Sequence, residues 1–220
     1  MPRGNADLPR IGIAILAKAP IAGLAKTRLI PELGAAGAAA LQAWLLQRTV
    51  LTALAANLGP VHLWCAPDTS HLDFQACRRL GPVDLRRQPA GDLGQRMLAA
   101  IAESPTPDGT LVIGTDCPIL TPAQLGQAAL GLAEHEASLI PAKDGGYVLI
   151  GMRQPAARIF ADVAWSSERV LAQTRARLRE LAWRWAEFTP LWDVDRSSDL
   201  ERLATLFPER PWLLRQSANA

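Results

Sequence analysis

At 220 residues, with 49% hydrophobic and 20% charged residues and a formal net charge of +2, the chain has the makeup of one folded globular domain. That balance excludes a disordered or coiled chain, and it lacks the basic excess by which counterion release drives nucleic-acid binding. Cys65, Cys77 and Cys117 are odd in number and form no CxxC pair, so reduced thiols and a cytoplasmic location are expected.

Ile11–Ala17 is the first apolar run. It sits at the floor for a signal-peptide core, with Ala17-Lys18-Ala19 a loose match to a cleavage site. It reads equally well as a buried strand, and its loop continues into the richest motif of the chain, so a strand is expected. A helix over Ala35–Asn57, a strand at Val61–Ala66 and a helix at Ser70–Arg79 follow. Next come a strand at Val83–Gln88, a helix at Leu93–Glu103 and a strand at Thr110–Thr115. Thr121, Pro122 and Gln124 form a capping box with proline at the first helical position, opening a helix to His135. Strands at Ser138–Ala142 and Tyr147–Met152 lie too close for a helical crossover, so one runs antiparallel to its neighbours or the two sit in separate small sheets. A helix at Ser167–Ala182, a strand at Arg184–Pro190 and a helix at Asp199–Phe207, entered through a box at Ser198 and Glu201, complete the order. Beyond the first run, no stretch approaches the ~20 apolar residues of a membrane helix. Neither repeat nor linker divides residues 1–220, so a single α/β domain with a largely parallel sheet is expected.

Ligands of open α/β sheets bind beyond the carboxyl ends of the strands. The loop after the first strand carries Lys18, Gly23, Lys26, Thr27 and Arg28, and all three lysines of the chain, Lys18, Lys26 and Lys143, fall in glycine-containing loops. Lysine is a compact point charge suited to a phosphate oxygen, so this loop is expected to hold a di- or triphosphate. A Walker loop needs glycine directly before lysine and a dinucleotide turn needs GxGxxG; neither is present. Asp116, at the tip of the fourth strand before Pro118, is placed to bind Mg2+ or Mn2+, ions that need only one or two protein carboxylates. Asp193 and Asp195 share a face of an extended segment, and one of them could complete that metal site. A phosphatase of the haloacid dehalogenase type also uses Asp-x-Asp, but after its first strand. Gly91, Asp92, Gly94 and Arg96 open a helix whose amides could meet a base, ribose or phosphate, although Asp92 serves equally as an N-cap. Lys143, Asp144, Gly145, Gly146 and Tyr147 form either an acceptor-binding turn or a plain hairpin.

Other features are expected to be structural. His62, His71 and His135 share no ligand spacing, Ser166-Ser167 lacks the partners of a nucleophile, and the Arg169–Arg184 run is a solvated face. Trp165 and Trp192 adjoin the candidate loops, with packing the expected role.

The segments AKAPIAGLAKTRL at 17–29, GDLGQRM at 91–97, GTDCPIL at 114–120, PAKDGGYVLIG at 141–151 and DVDRSSDL at 193–200 resemble the nucleotide-diphospho-sugar transferase (GT-A) superfamily. They most resemble a bacterial glycosyltransferase-like family of unassigned substrate, related to 2-phospho-lactate guanylyltransferase and molybdenum-cofactor nucleotidyltransferases. The resemblance implies a Rossmann-like three-layer sandwich with a mixed, mainly parallel seven-stranded sheet. It implies Lys18, Lys26 and Arg28 at phosphates, Asp116 at the metal and Asp195 as a second metal carboxylate. Arg196 and Ser167 stand where related chains tend to have threonine.

The function expected is transfer of a glycosyl or nucleotidyl group from a nucleotide sugar or nucleoside triphosphate to a small-molecule acceptor. Lys26, Asp116 and Asp144 are the catalytic candidates, with Asp144 an acceptor contact or base. Neither a nucleic-acid partner nor a membrane span is expected, and the oligomeric state is not legible. The competing expectation is a non-catalytic nucleotide-binding module on the same fold.

Overall fold

The structure, a computed structural model, describes residues 9–104 and 106–209. Seven strands form one sheet: β1 (Gly12–Lys18), β2 (Val61–Ala66), β3 (Val83–Arg87), β4 (Thr110–Ile113), β5 (Ala137–Pro141), β6 (Tyr147–Met152) and β7 (Trp185–Glu187). Their order across the sheet is β3-β2-β1-β4-β6-β5-β7. Only β6 runs against its neighbours, pairing antiparallel with β4 and β5, while β1, β2, β3 and β4 are mutually parallel and β7 is parallel to β5. The short turn at residues 143–146 forces this reversal, since too few residues remain for a crossover.

The helices are α1 (Ile30–Ala56), α2 (Leu72–Cys77), α3 (Leu93–Ala102), α4 (Pro122–Glu134), α5 (Ala157–Phe160), α6 (Val170–Glu180) and α7 (Ser197–Leu206). Strand alternation distributes them over the two faces. Ile13 and Ile15 join Leu46, Val50, Leu125 and Leu132 on the side of α1 and α4, while Ala14 and Val112 join Met97, Ile101, Ile159 and Leu178 on the side of α3, α5 and α6. A third cluster, Leu29, Leu33, Leu41, Leu45, Trp192, Val194, Leu200 and Leu203, ties α1 to α7 and to the segment after β7. This cluster matters for the site, because it seats residues 192–194 against the helix that follows the phosphate loop.

Several expectations shift. Regular helix begins at Ala35 as expected, but a further turn precedes it across a break at Gly34, whose φ of 67° and ψ of 167° no helix accommodates. α5 has too few residues to carry a periodicity and was not expected. α7 starts at Ser197, earlier than expected, and is entered not through Ser198 and Glu201 but through Asp199, whose Oδ2 accepts from the amides of Asp195 (2.9 Å) and Arg196 (2.7 Å). The capping box of Thr121 and Gln124 is present. The expectation that no second stretch has the makeup of a membrane helix needs correction. Within residues Thr27–Ala56 an 18-residue window reaches a mean hydropathy of 1.3, long and apolar enough to span by length and composition. The alanines and leucines around Gln42 raise that mean. In this fold Leu41, Leu45, Leu46 and Val50 are fully buried in the core.

Candidate active site

The loop after β1 folds back over the strand ends. Lys26 takes a left-handed backbone (φ 48°, ψ 44°), a conformation uncommon for a residue with a Cβ and one that clusters at functional sites. That bend drives its side chain inward, leaving it 5% exposed. Its Nζ donates to Asp116 Oδ1 at 2.8 Å and to the Val194 carbonyl at 2.5 Å. Val194 N in turn donates to the Asp116 carbonyl at 2.8 Å. Arg28 pairs with the Asp195 carboxylate. Three stretches far apart in sequence thus meet at one rim: the cationic loop, the β4 tip and the segment after β7.

Within that rim the acidic residues divide in a way the sequence does not show. Asp195 is engaged by Arg28, and Asp193 is half-buried. Burial pushes the Asp193 carboxyl up to about 6, and the nearby Asp144 and Asp116 carboxylates push the same way while Lys26 opposes them. The carboxylate electrostatically coupled to Asp116 is therefore Asp193, a residue that sequence reasoning placed in the motif but did not select. Asp-Val-Asp spacing puts both side chains on one face, and only the tertiary neighbours separate them. Cys117, beside Asp116, is buried and its thiol is pushed up to about 12 by burial, which makes it inert.

The donor set fits a hard divalent cation. The Asp193 carboxyl lies close enough to those of Asp144 and the half-exposed Asp116 to be raised by them, a grouping of oxygen donors of the kind such an ion prefers. Among the described residues, no three His, Cys, Asp or Glu side chains could hold an ion by themselves, so other positions would fall to phosphate oxygens and water.

The remaining candidates separate into rim and scaffold. Lys18 is exposed at the end of β1, abreast of Ala66 on β2. Gly23 (φ 83°) and Thr27 are exposed in the same loop. Lys143 and Asp144 are exposed in the β5–β6 turn, where Asp144 Oδ1 accepts from Gly146 N at 2.9 Å. Tyr147 instead points into the core: its hydroxyl lies 3.8 Å from the Met97 sulfur, and burial raises its pKa. Gly145 has a positive φ of 91°, and a Cβ there would lie 2.2 Å from the Glu168 carbonyl oxygen, so it serves the packing of the turn. Asp92 and Gln95 form a reciprocal capping box, and a Cβ on Gly94 would lie 2.6 Å from the Trp165 ring. These two expected nucleotide contacts are thus occupied with starting α3 and seating it on Trp165, while Gly91 lies exposed beside them.

A cavity of about 540 Å3 opens past the ends of β2 and β3, lined by Ala66, Pro67, Arg87, Gln88, Pro89, Ala90 and Arg96, with neither Lys26 nor Asp116 in its wall. Gln88 Nε2 donates to the carbonyls of Ala17 (2.9 Å) and Trp64 (2.8 Å), which fixes the wall next to Lys18. Arg96 Nε is buried without a partner, a donor that a ligand would satisfy. Arg96 was expected here; Arg87 and Gln88 were not, though their place at a strand end was a usable signal.

The family described as an uncharacterized protein conserved in bacteria (DUF2064) matches residues 49–167. No curated protein matches the chain. Among solved structures, the chain is similar to a provisionally named nucleotide-diphospho-sugar transferase from Desulfovibrio desulfuricans G20, at 27% identity and a TM-score of 0.80, covering 95% of this chain and 98% of that one. A cytidylyltransferase from Leptospira borgpetersenii serovar Hardjo-bovis (strain JB197) shares 17% identity at a TM-score of 0.62, over 95% of this chain and 90% of that one. A manganese complex of a Mycobacterium tuberculosis H37Rv protein shares 17% identity at a TM-score of 0.50, over 88% and 97%. The fold is that of the nucleotide-diphospho-sugar transferases, with the mixed seven-stranded sheet that the sequence resemblance implied.

Proposed function

The chain belongs to the DUF2064 family, and we propose that it is a metal-dependent transferase that takes a nucleotide sugar or nucleoside triphosphate as donor. The observation that carries this reading is the meeting of Lys26, Asp116 and the 193–195 segment at the carboxyl rim of the parallel strands. Similarity to the Desulfovibrio protein and to a cytidylyltransferase supports a nucleotide donor, and the manganese complex supports a divalent ion.

In this proposal the cavity at Gln88 and Arg96 receives the nucleoside, and the phosphates run past exposed Lys18 toward the loop of Gly23, Thr27 and Arg28. Asp116 and Asp193 would hold the ion, which would screen the phosphate charge and act as a Lewis acid. Lys26 keeps Asp116 in place and adds positive charge at the point where the leaving group becomes more anionic. Arg28, held by Asp195, is presented as a planar donor to the same phosphates. Attack on the α-phosphate releases pyrophosphate; attack on the sugar carbon releases a nucleoside diphosphate. Exposed Lys143 and Asp144, the latter near Asp193, would be the acceptor contacts, with Asp144 as the candidate base. The buried free cysteines support a cytoplasmic setting.

A panel of nucleoside triphosphates and nucleotide sugars, scanned by thermal shift with and without Mg2+ or Mn2+, tests the reading. A ligand that stabilises only with the ion present is the expected outcome, since ligand binding to the folded state raises the melting temperature by mass action. Stabilisation by no nucleotide under either condition would sink it. Binding without turnover against any acceptor would leave the non-catalytic alternative.

A further inference from the structure

α1 is an alanine- and leucine-rich helix, yet it buries one amide side chain in mid-course. Gln42 is 4% exposed. A buried amide without partners is costly, so its bonds are informative. Gln42 Nε2 donates to Thr115 Oγ1 at 3.0 Å, and Thr115, itself 5% exposed, has its hydroxyl 3.3 Å from Asp116 Oδ1. A threonine hydroxyl has a single proton. With a lone pair taken by the Gln42 amide, that proton is directed to the carboxylate. Asp116 Oδ1 therefore receives two donors, Thr115 from below and Lys26 Nζ from the loop. The Asp116 side chain is half-exposed, so its carboxylate remains accessible to a ligand from solvent.

We infer that Gln42 is a positioning residue for Asp116, acting through the Thr115 hydroxyl to hold the carboxylate in one rotamer. The same helix fastens the β4–α4 loop a second time, where Arg48 donates to the Pro118 carbonyl. α1 thus follows directly on the cationic loop and, beyond the break at Gly34, clamps the Asp116 loop twice along its length. The consequence for function rests on Asp116 being a metal carboxylate; the relay itself does not.

The test uses Thr115→Val, Thr115→Ser, Gln42→Met and the Thr115→Val/Gln42→Met double variant of the full chain, each checked for folding by circular dichroism. Three-bond couplings between the Asp116 Hα and Hβ protons are measured in the metal-free protein, and Mn2+ affinity is measured by calorimetry with the metal alone. A single Asp116 rotamer is expected in the wild type and in Thr115→Ser, and rotamer averaging in Thr115→Val and Gln42→Met. Mn2+ affinity is expected to fall about tenfold in both averaging variants, the usual scale for losing a partner of a metal ligand. In the double variant it should fall no further than in Thr115→Val, because the chain is already cut. A rigid Asp116 in Thr115→Val and Gln42→Met, or losses that multiply in the double variant, would overturn the relay. Should the wild type bind no Mn2+, the rotamer measurement still decides the relay, and the failure falls on the metal assignment alone.

Discussion

Asp193 carries unfavourable electrostatics at the rim. Its carboxyl, raised to about 6 by burial and by Asp144 and Asp116, holds its proton more tightly in the folded chain than an unfolded aspartate, which titrates near ~3.9. Ionisation therefore opposes folding. The opposition is absent below about pH 4, grows as pH rises, and is complete above the folded pKa. Asp193→Asn, which keeps the shape and cannot ionise, is predicted to melt higher than the wild type near pH 8 in chelator, with the gain vanishing by about pH 4. Equal melting temperatures near pH 8 would show that the carboxylate is not strained. The same residue marks a limit of sequence reasoning. That Lys26 and Asp116 would lie at one rim was legible, because a strand end fixes where a following residue lies. The different surroundings of Asp193 and Asp195 were not, because they depend on Arg28 lying beside one and Asp144 beside the other.

Among the elements, α1 does the most to organise the rim, and its form turns on Gly34. The backbone there, at φ 67° and ψ 167°, lies in a region essentially reserved for glycine. The break lets the turn carrying Leu29 and Leu33 tilt into the cluster with Trp192 and Val194 while the main helix lies along the sheet. Gly34→Ala is predicted to destabilise the protein by about 1–3 kcal/mol, seen as a lower urea midpoint with an unchanged slope. An unchanged midpoint would mean that the chain relaxes around the break without strain. The strands and long helices were legible from alternation, periodicity and the Thr121–Gln124 box, whereas α5 was too short to leave a pattern and the turn before Gly34 was hidden by the glycine itself. Asp92, expected as a nucleotide contact or an N-cap, caps α3, and Gly94 packs against Trp165. A glycine-rich helix start looks alike whether its clearance serves a ligand or, as here, the Trp165 ring.

At the scale of the whole molecule, chain order and sheet order combine to make the site. The central position of β1, flanked by β2 and β4, brings the first loop beside both the Gln88 cavity and the Asp116 tip. The antiparallel β6 then inserts between β4 and β5, and β7 returns the chain so that Val194 can bond to Asp116. The elements proposed to hold donor and acceptor consequently lie at one rim, which is the arrangement a group transfer needs. Calorimetric titration of a stabilising nucleotide into the wild type and Asp116→Ala, each with Mn2+ and with chelator, tests this most directly. Metal-dependent binding by the wild type and its loss in Asp116→Ala are predicted; equal affinity in the two proteins would contradict the account.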